Sequence, residues 1–103
     1  MRGLVVIEPV ISNDIPMRFD ISQNYPNPFN PVTMINYQLP KAGSVTIKLF
    51  DALGRETQTL FEGNQPAGSY KVTVDGTNLS SGIYYCRIST ADYSKVIKMS
   101  LIK

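Results

Sequence analysis

Three prolines, Pro26, Pro28 and Pro31, fall within six positions of the segment Asn24-Tyr25-Pro26-Asn27-Pro28-Phe29-Asn30-Pro31. Each holds its φ at about −65° and removes a backbone donor, so neither a helix nor a central strand runs through this stretch. The residues before the prolines, Tyr25, Asn27 and Asn30, are pushed toward extended geometry. The asparagines can bond the backbone that the prolines leave open, and Tyr25 and Phe29 are apolar pegs to press onto a core. The prediction is a stiff bracket with an aromatic anchor, set just ahead of a run of strands.

Around the bracket the side-chain period is two. Met17 to Ser22 alternates, with Phe19 and Ile21 on one side. Thr33 to Leu39 places Ile35, Tyr37 and Leu39 inward. After the Pro40–Gly43 turn, Ser44 to Asp51 places Val45, Ile47 and Leu49 on one face. Asp51-Ala52-Leu53-Gly54-Arg55-Glu56 reads as a tight corner, in which Asp51 accepts from turn amides and Gly54 takes positive φ. Glu56 to Phe61 breaks parity, and a bulge there reconciles it with a strand. Gly63 to Gly68 reads as a loop, Tyr70-Val72-Val74 as a half-buried strand, and Gly76 to Gly82 as a turn-rich link. Tyr84, Cys86 and Ile88 share an inward face. A short turn at Ala91-Asp92-Tyr93 leads into a closing strand, Lys95 to Lys103, with Ile97, Met99 and Leu101 inward. No helical stripe persists. About seven short strands with Gly, Pro and Asn turns predict an all-β, immunoglobulin-like antiparallel sandwich with Greek-key crossings and no helix, spanning residues 17–103. Residues 1–16, interrupted by Pro9 and Pro16, read as a linker, although Leu4 to Ile7 has the makings of an extra edge strand.

A chain of 103 residues with 43% hydrophobic content buries one core. Its net charge of +2 comes from scattered lysines and arginines, which argues against nucleic acid as a partner. No apolar run is long enough to insert in a membrane. There is no histidine and only one cysteine, so a soft-metal centre or a Cys-His nucleophile cannot be assembled within this chain. No cofactor, metal or catalytic residue is expected, and the chain does not read as an enzyme.

The ordered set of motifs resembles the type IX secretion system C-terminal sorting domain, type A, of Bacteroidetes-like bacteria. The bracket Gln23–Thr33 looks like its opening signature, carried by Asn24, Pro26, Asn27, Pro28, Phe29 and Asn30. Phe50-Asp51-Ala52-Leu53-Gly54-Arg55-Glu56, Pro66-Ala67-Gly68-Ser69-Tyr70, Asn78–Tyr84 and Lys98–Lys103 follow in the family's order, with Gly54, Gly68 and Tyr70 as further signature positions. Val74 and Thr57 depart from it, standing where tryptophan and an aliphatic residue are common; both changes are expected to weaken the core slightly.

The resemblance implies an address label that directs an attached upstream passenger across the outer membrane, through the periplasm to the cell surface or the medium. Its implied partners are the outer-membrane type IX components and a sortase-like cysteine peptidase, which cuts in the linker before Met17 and anchors the cargo. On this reading the chain is the closing part of a longer parent. Recognition maps by resemblance to Gly82, Tyr84, Lys98, Leu101 and Lys103, with strand addition at the closing strand as the expected mode. Two other readings of a β-sandwich stand beside this one. One is a surface-adhesive or glycan-binding module using Tyr25, Tyr85 and Tyr93 as its platform; the other is a flagellar hook-cap immunoglobulin-like domain.

Overall fold

The computed structural model describes residues 5–10 and 16–103. Among the described residues eight strands follow one another: β1 (Val5–Val10), β2 (Asp20–Ile21), β3 (Val32–Leu39), β4 (Gly43–Asp51), β5 (Glu56–Gln65), β6 (Gly68–Asp75), β7 (Gly82–Ser89) and β8 (Ser94–Leu101). They form two four-stranded sheets, ordered β1-β6-β3-β2 and β5-β4-β7-β8, with every pair antiparallel. The links β3–β4, β5–β6 and β6–β7 cross between sheets, which makes the sandwich immunoglobulin-like.

The core follows from the alternation. Ile35, Tyr37 and Leu39 of β3 and Tyr70, Val72 and Val74 of β6 face Val45, Ile47 and Leu49 of β4, Tyr84, Cys86 and Ile88 of β7, and Ile97, Met99 and Leu101 of β8; all are buried. Phe29 joins them from the bracket at 1% exposure, so the peg predicted from the prolines is a core residue. Full burial of such side chains contributes roughly 1.5–3 kcal/mol each.

Four boundaries differ from the sequence reading. An eighth strand exists because Val5–Val10 pairs along β6, from Val5↔Val74 to Val10↔Ser69; the edge-strand alternative within the linker is what forms. The first predicted strand contracts to Asp20–Ile21, although Phe19 still packs on the core. The predicted loop at Gly63–Gly68 is mostly strand, since Gly63, Asn64 and Gln65 pair with Val45, Ser44 and Gly43. Polar composition hid this: an edge strand half exposed to water does not need alternating apolar residues. The closing strand ends at Leu101.

The predicted bulge is present twice, where Leu60 and Thr57 fall out of register with β4. Thr57 is exposed, and its hydroxyl donates to the Leu49 carbonyl at 3.1 Å. It is therefore a bulge residue, and its departure from an aliphatic side chain takes nothing from the core.

Candidate functional site

One end of the sandwich gathers the bracket, the Asp51 corner, the β6–β7 link and the C-terminus. The bracket is tied together internally. Buried Asn24 donates from Nδ2 to the Pro26 carbonyl (3.1 Å) and to Thr33 Oγ1 (3.0 Å), and the Thr33 hydroxyl donates to the same carbonyl at 2.9 Å. Tyr25 and Met34 exchange backbone bonds of 2.8 and 2.9 Å, which fixes the bracket to β3.

The bracket then reaches across to the other sheet. The Phe29 amide donates to the Ser100 carbonyl and the Ile102 amide to the Phe29 carbonyl, both at 2.9 Å. The Ser100 amide donates to Asn27 Oδ1 at 3.0 Å, and Gln23 Nε2 donates to the Lys98 carbonyl at 2.6 Å. Bracket groups thus take up the outward backbone of the closing strand from Lys98 to Ile102. At its other end, Lys95 Nζ meets Asp20 Oδ1 at 3.1 Å, and this contact is the leading cause of the lowered Asp20 pKa. The edge expected to receive a partner strand is thus already occupied from Lys98 onward.

The β6–β7 link closes over the same place. Gly76 donates to the Pro31 carbonyl at 2.7 Å. A Cβ on Gly76 would stand 3.2 Å from both Phe29 and Leu101 and 3.3 Å from the Pro31 carbonyl oxygen, so any larger residue would require these neighbours to give by a few tenths of an ångström. Lys103 fastens the tail, its amide donating to Ser81 Oγ (3.1 Å) and its Nζ to the Thr77 carbonyl (2.6 Å).

Beside it stands the Asp51 corner. Oδ1 accepts from the amides of Leu53 (2.9 Å) and Arg55 (3.0 Å), Oδ2 accepts from Arg55 Nε (2.9 Å), and Gly54 takes φ +82° as predicted. The Arg55 amide leads the bonds that hold the Asp51 carboxyl below its usual pKa. Between this corner and the start of β7 lies a shallow cleft lined by Asp51, Leu53, Arg55, Ser81, Gly82 and Ile83.

The five predicted recognition residues separate by position. Tyr84 is buried, and its hydroxyl donates at 2.6 Å to the carbonyl of Ser80, four residues upstream. This is the tyrosine corner of immunoglobulin-like folds, and Cys86 stands two residues on, at the usual place of a disulfide cysteine. Cys86 is buried and unpaired, and burial pushes its thiol up to about 12. Leu101 is core at 1% exposure. Gly82, with φ +149°, and Lys103 are exposed at the bracket end. Lys98 is exposed on the outer face of its sheet, in register with Tyr85 and, beyond it, Phe50, over whose ring Arg87 sits at 4.9 Å.

Among the signature residues, Asn24, Asn27 and Phe29 make the bracket contacts above, while Pro26 and Pro31 supply carbonyl acceptors. Gly68 and Tyr70 form a second tyrosine corner at the opposite end, with Tyr70 donating to the Pro66 carbonyl at 2.7 Å. Sequence reading did not single out as site residues two highly exposed side chains of the cleft, Leu53 at 77% and Arg55, whose side chain is 73% exposed. A large apolar residue within the tight corner Asp51-Ala52-Leu53-Gly54-Arg55 was the available signal.

The three tyrosines considered for a glycan platform do not share a face. Tyr25 lies on the bracket against β3, Tyr85 on the outer face of the other sheet, and Tyr93 in the β7–β8 turn, stacked on Phe19 at 5.5 Å. Among the described residues, no group of three or more His, Cys, Asp or Glu is placed to hold a metal ion.

The family model described as the secretion system C-terminal sorting domain matches residues 23–103, from the first bracket residue to the tail. No curated protein and no solved structure gives a significant match. The matched span begins at the bracket and includes both tyrosine corners, the Asp51 corner and the whole of β8, and the chain belongs to the secretion system C-terminal sorting domain family, the sorting signal of type IX secretion.

Proposed function

We infer that the bracket end of the sandwich is the surface read by the outer-membrane type IX machinery, so that a passenger joined upstream is carried out through it. The supporting observation is the convergence of four segments far apart in the chain, at residues 24–31, 51–55, 76–84 and 98–103, on one end of the fold. Gly82, Leu53, Arg55, Ile102 and Lys103 are exposed there. Because bracket groups occupy the outward backbone of β8, reading proceeds through this composite surface rather than through strand addition at β8. Tyr84 and Leu101 act by holding the surface in shape. Removal of the domain by a sortase-like cysteine peptidase cutting before Met17, with anchoring of the passenger at the cell surface, completes the proposal. The domain itself supplies no catalytic group.

The test is a reporter carrying a signal peptide and ending in the whole chain, expressed in a host with the machinery. Surface export is expected for the wild type. It is expected to fall for Leu53→Glu with Lys103→Glu, two exposed changes that leave the core intact, while circular dichroism stays unchanged. Full export of that double variant would remove the bracket end from the account. Lys98→Ala, on the outer face, separates the two surfaces.

A further inference from the structure

The sandwich has four lateral edges, and they are guarded differently. An exposed strand edge is a template for another chain unless it is short, bulged, interrupted or covered. On β5, the outer strand of its sheet, Leu60 and Thr57 break the register. The β8 edge is covered by the bracket and by the Asp20–Lys95 pair. β2 is two residues long. The fourth edge strand is β1, and beneath it lies β6, which pairs with β3 over eight consecutive residues without a shift and contains no proline. Nothing within the family-matched span covers it; β1, from outside that span, does.

β1 is held mainly through its backbone. Among its described side chains only Ile7, in register with Val72, packs on the core; Val6, Glu8, Pro9 and Val10 are exposed. Glu8 meets Lys71 of β6 at 3.7 Å, both partly exposed, a contact of small energy. Pro9 lacks an amide hydrogen, which makes β1 a poor template for a further strand.

The geometry points to the β6 edge as an acceptor site for an extended peptide strand. Its occupant is a segment carrying an aliphatic side chain opposite Val72 and a carboxylate beside Lys71, here the chain's own Val5–Val10, bound as a separable strand. A cut between β1 and β2 leaves that strand held only by these contacts. This inference stands on edge geometry and does not rest on the export reading.

The test uses the full chain with Ile7→Asp, which removes the one core contact among the described side chains of β1. Amide hydrogen exchange is followed by NMR, with a synthetic peptide of residues 1–16 added in excess. Exchange at those amides of Lys71–Val74 that point toward β1 is expected to speed up by about tenfold, the scale of losing one partly buried aliphatic contact, while the alternate amides bonded to β3, and Cys86 and Ile88 in β7, keep their protection. The wild-type peptide restores protection on β6, and the same peptide with Ile7→Asp does not. Glu8→Lys in the full chain, which spares the core, gives a smaller acceleration in the same residues. Unchanged exchange in Ile7→Asp, acceleration across both sheets, or equal rescue by the two peptides would each overturn the proposal. Protection of β6 that rises with protein concentration and without peptide would give the site to a second copy and overturn the occupant named here.

Discussion

The molecule uses one corner device twice. Gly68 and Tyr70 start β6, and Gly82 and Tyr84 start β7, in the same Gly-x-Tyr spacing. The glycines have φ of +148° and +149°, and the phenols donate to carbonyls four residues upstream at 2.7 and 2.6 Å. Both tyrosines are 7% exposed. Their surroundings differ. Tyr70 stacks on Tyr37 at 5.2 Å, whose hydroxyl donates to Gln65 at 2.6 Å, and its corner is a short turn between β5 and β6. The Tyr84 corner closes a longer link that also contacts the bracket through Gly76 and the tail through Lys103. Identical local chemistry thus serves once as a fold device alone and once as the support of a composite surface.

The comparison breaks first at the bracket. Phe29→Ala is expected to cost about 3–5 kcal/mol in chemical denaturation, as for other buried aromatics. Exchange of the Ser100 and Ile102 amides should rise with it, since Phe29 and its neighbours bond both. A change below 1 kcal/mol, on the scale of surface substitutions, would mean that the bracket is decoration on a sandwich that closes without it.

Alkaline pH probes a buried acid near each corner. Tyr37, against Tyr70, is raised from 10.0 to about 12, chiefly by burial. Cys86, just past Tyr84, is raised from 9.0 to about 12 by burial. Both folded pKa values lie above the unfolded ones, so the stability these groups contribute is complete below the unfolded values and is lost as pH climbs toward about 12. Urea midpoints should fall from about pH 9 upward, and Cys86→Ala should flatten the first part of that fall. An unchanged slope in the variant would deny Cys86 its share.

The glycines sharpen the comparison. Gly68→Ala and Gly82→Ala both force an L residue into a backbone region it rarely adopts, while neither added Cβ meets an atom within 4 Å. Each should cost about 1–3 kcal/mol by backbone strain alone. Stability losses should match, whereas export of a fused reporter should fall further with Gly82→Ala. Equal export losses would reduce the Gly82 effect to stability. The smallest change is expected from Tyr70→Phe and Tyr84→Phe, at about 0.5–1.5 kcal/mol each in thermal or urea unfolding. A large gap between the two would show that the corners are not energetically alike.

Much of this was legible in the chain itself. Alternation in β3, β4, β6, β7 and β8 named nearly every core residue, because a strand buried on one face must repeat with period two. The Asp51 corner and the bulges of β5 were readable for the same local reason: each is settled within a few residues by backbone conformation. β1 and the far half of β5 were hard to read, since edge strands are half solvated and need little apolar pattern. Tyr84 and Leu101, the two motif residues that the alternation turned inward, have buried side chains, so the resemblance that named them for recognition and the period that named them for the core fall on the same positions.

By itself the sequence determined the inner strands and β8, their inward faces, most of the turns and the stiff segment ahead of β3, all consequences of local sterics and hydrophobic period. Only the tertiary structure decided that this stiff segment lies along the outward backbone of β8, that the tail meets the β6–β7 link, and that β1 closes β6. Those contacts join residues up to 75 positions apart, as in the Gln23–Lys98 bond. They depend on which donors and acceptors remain open once both sheets have formed, and no local pattern encodes that.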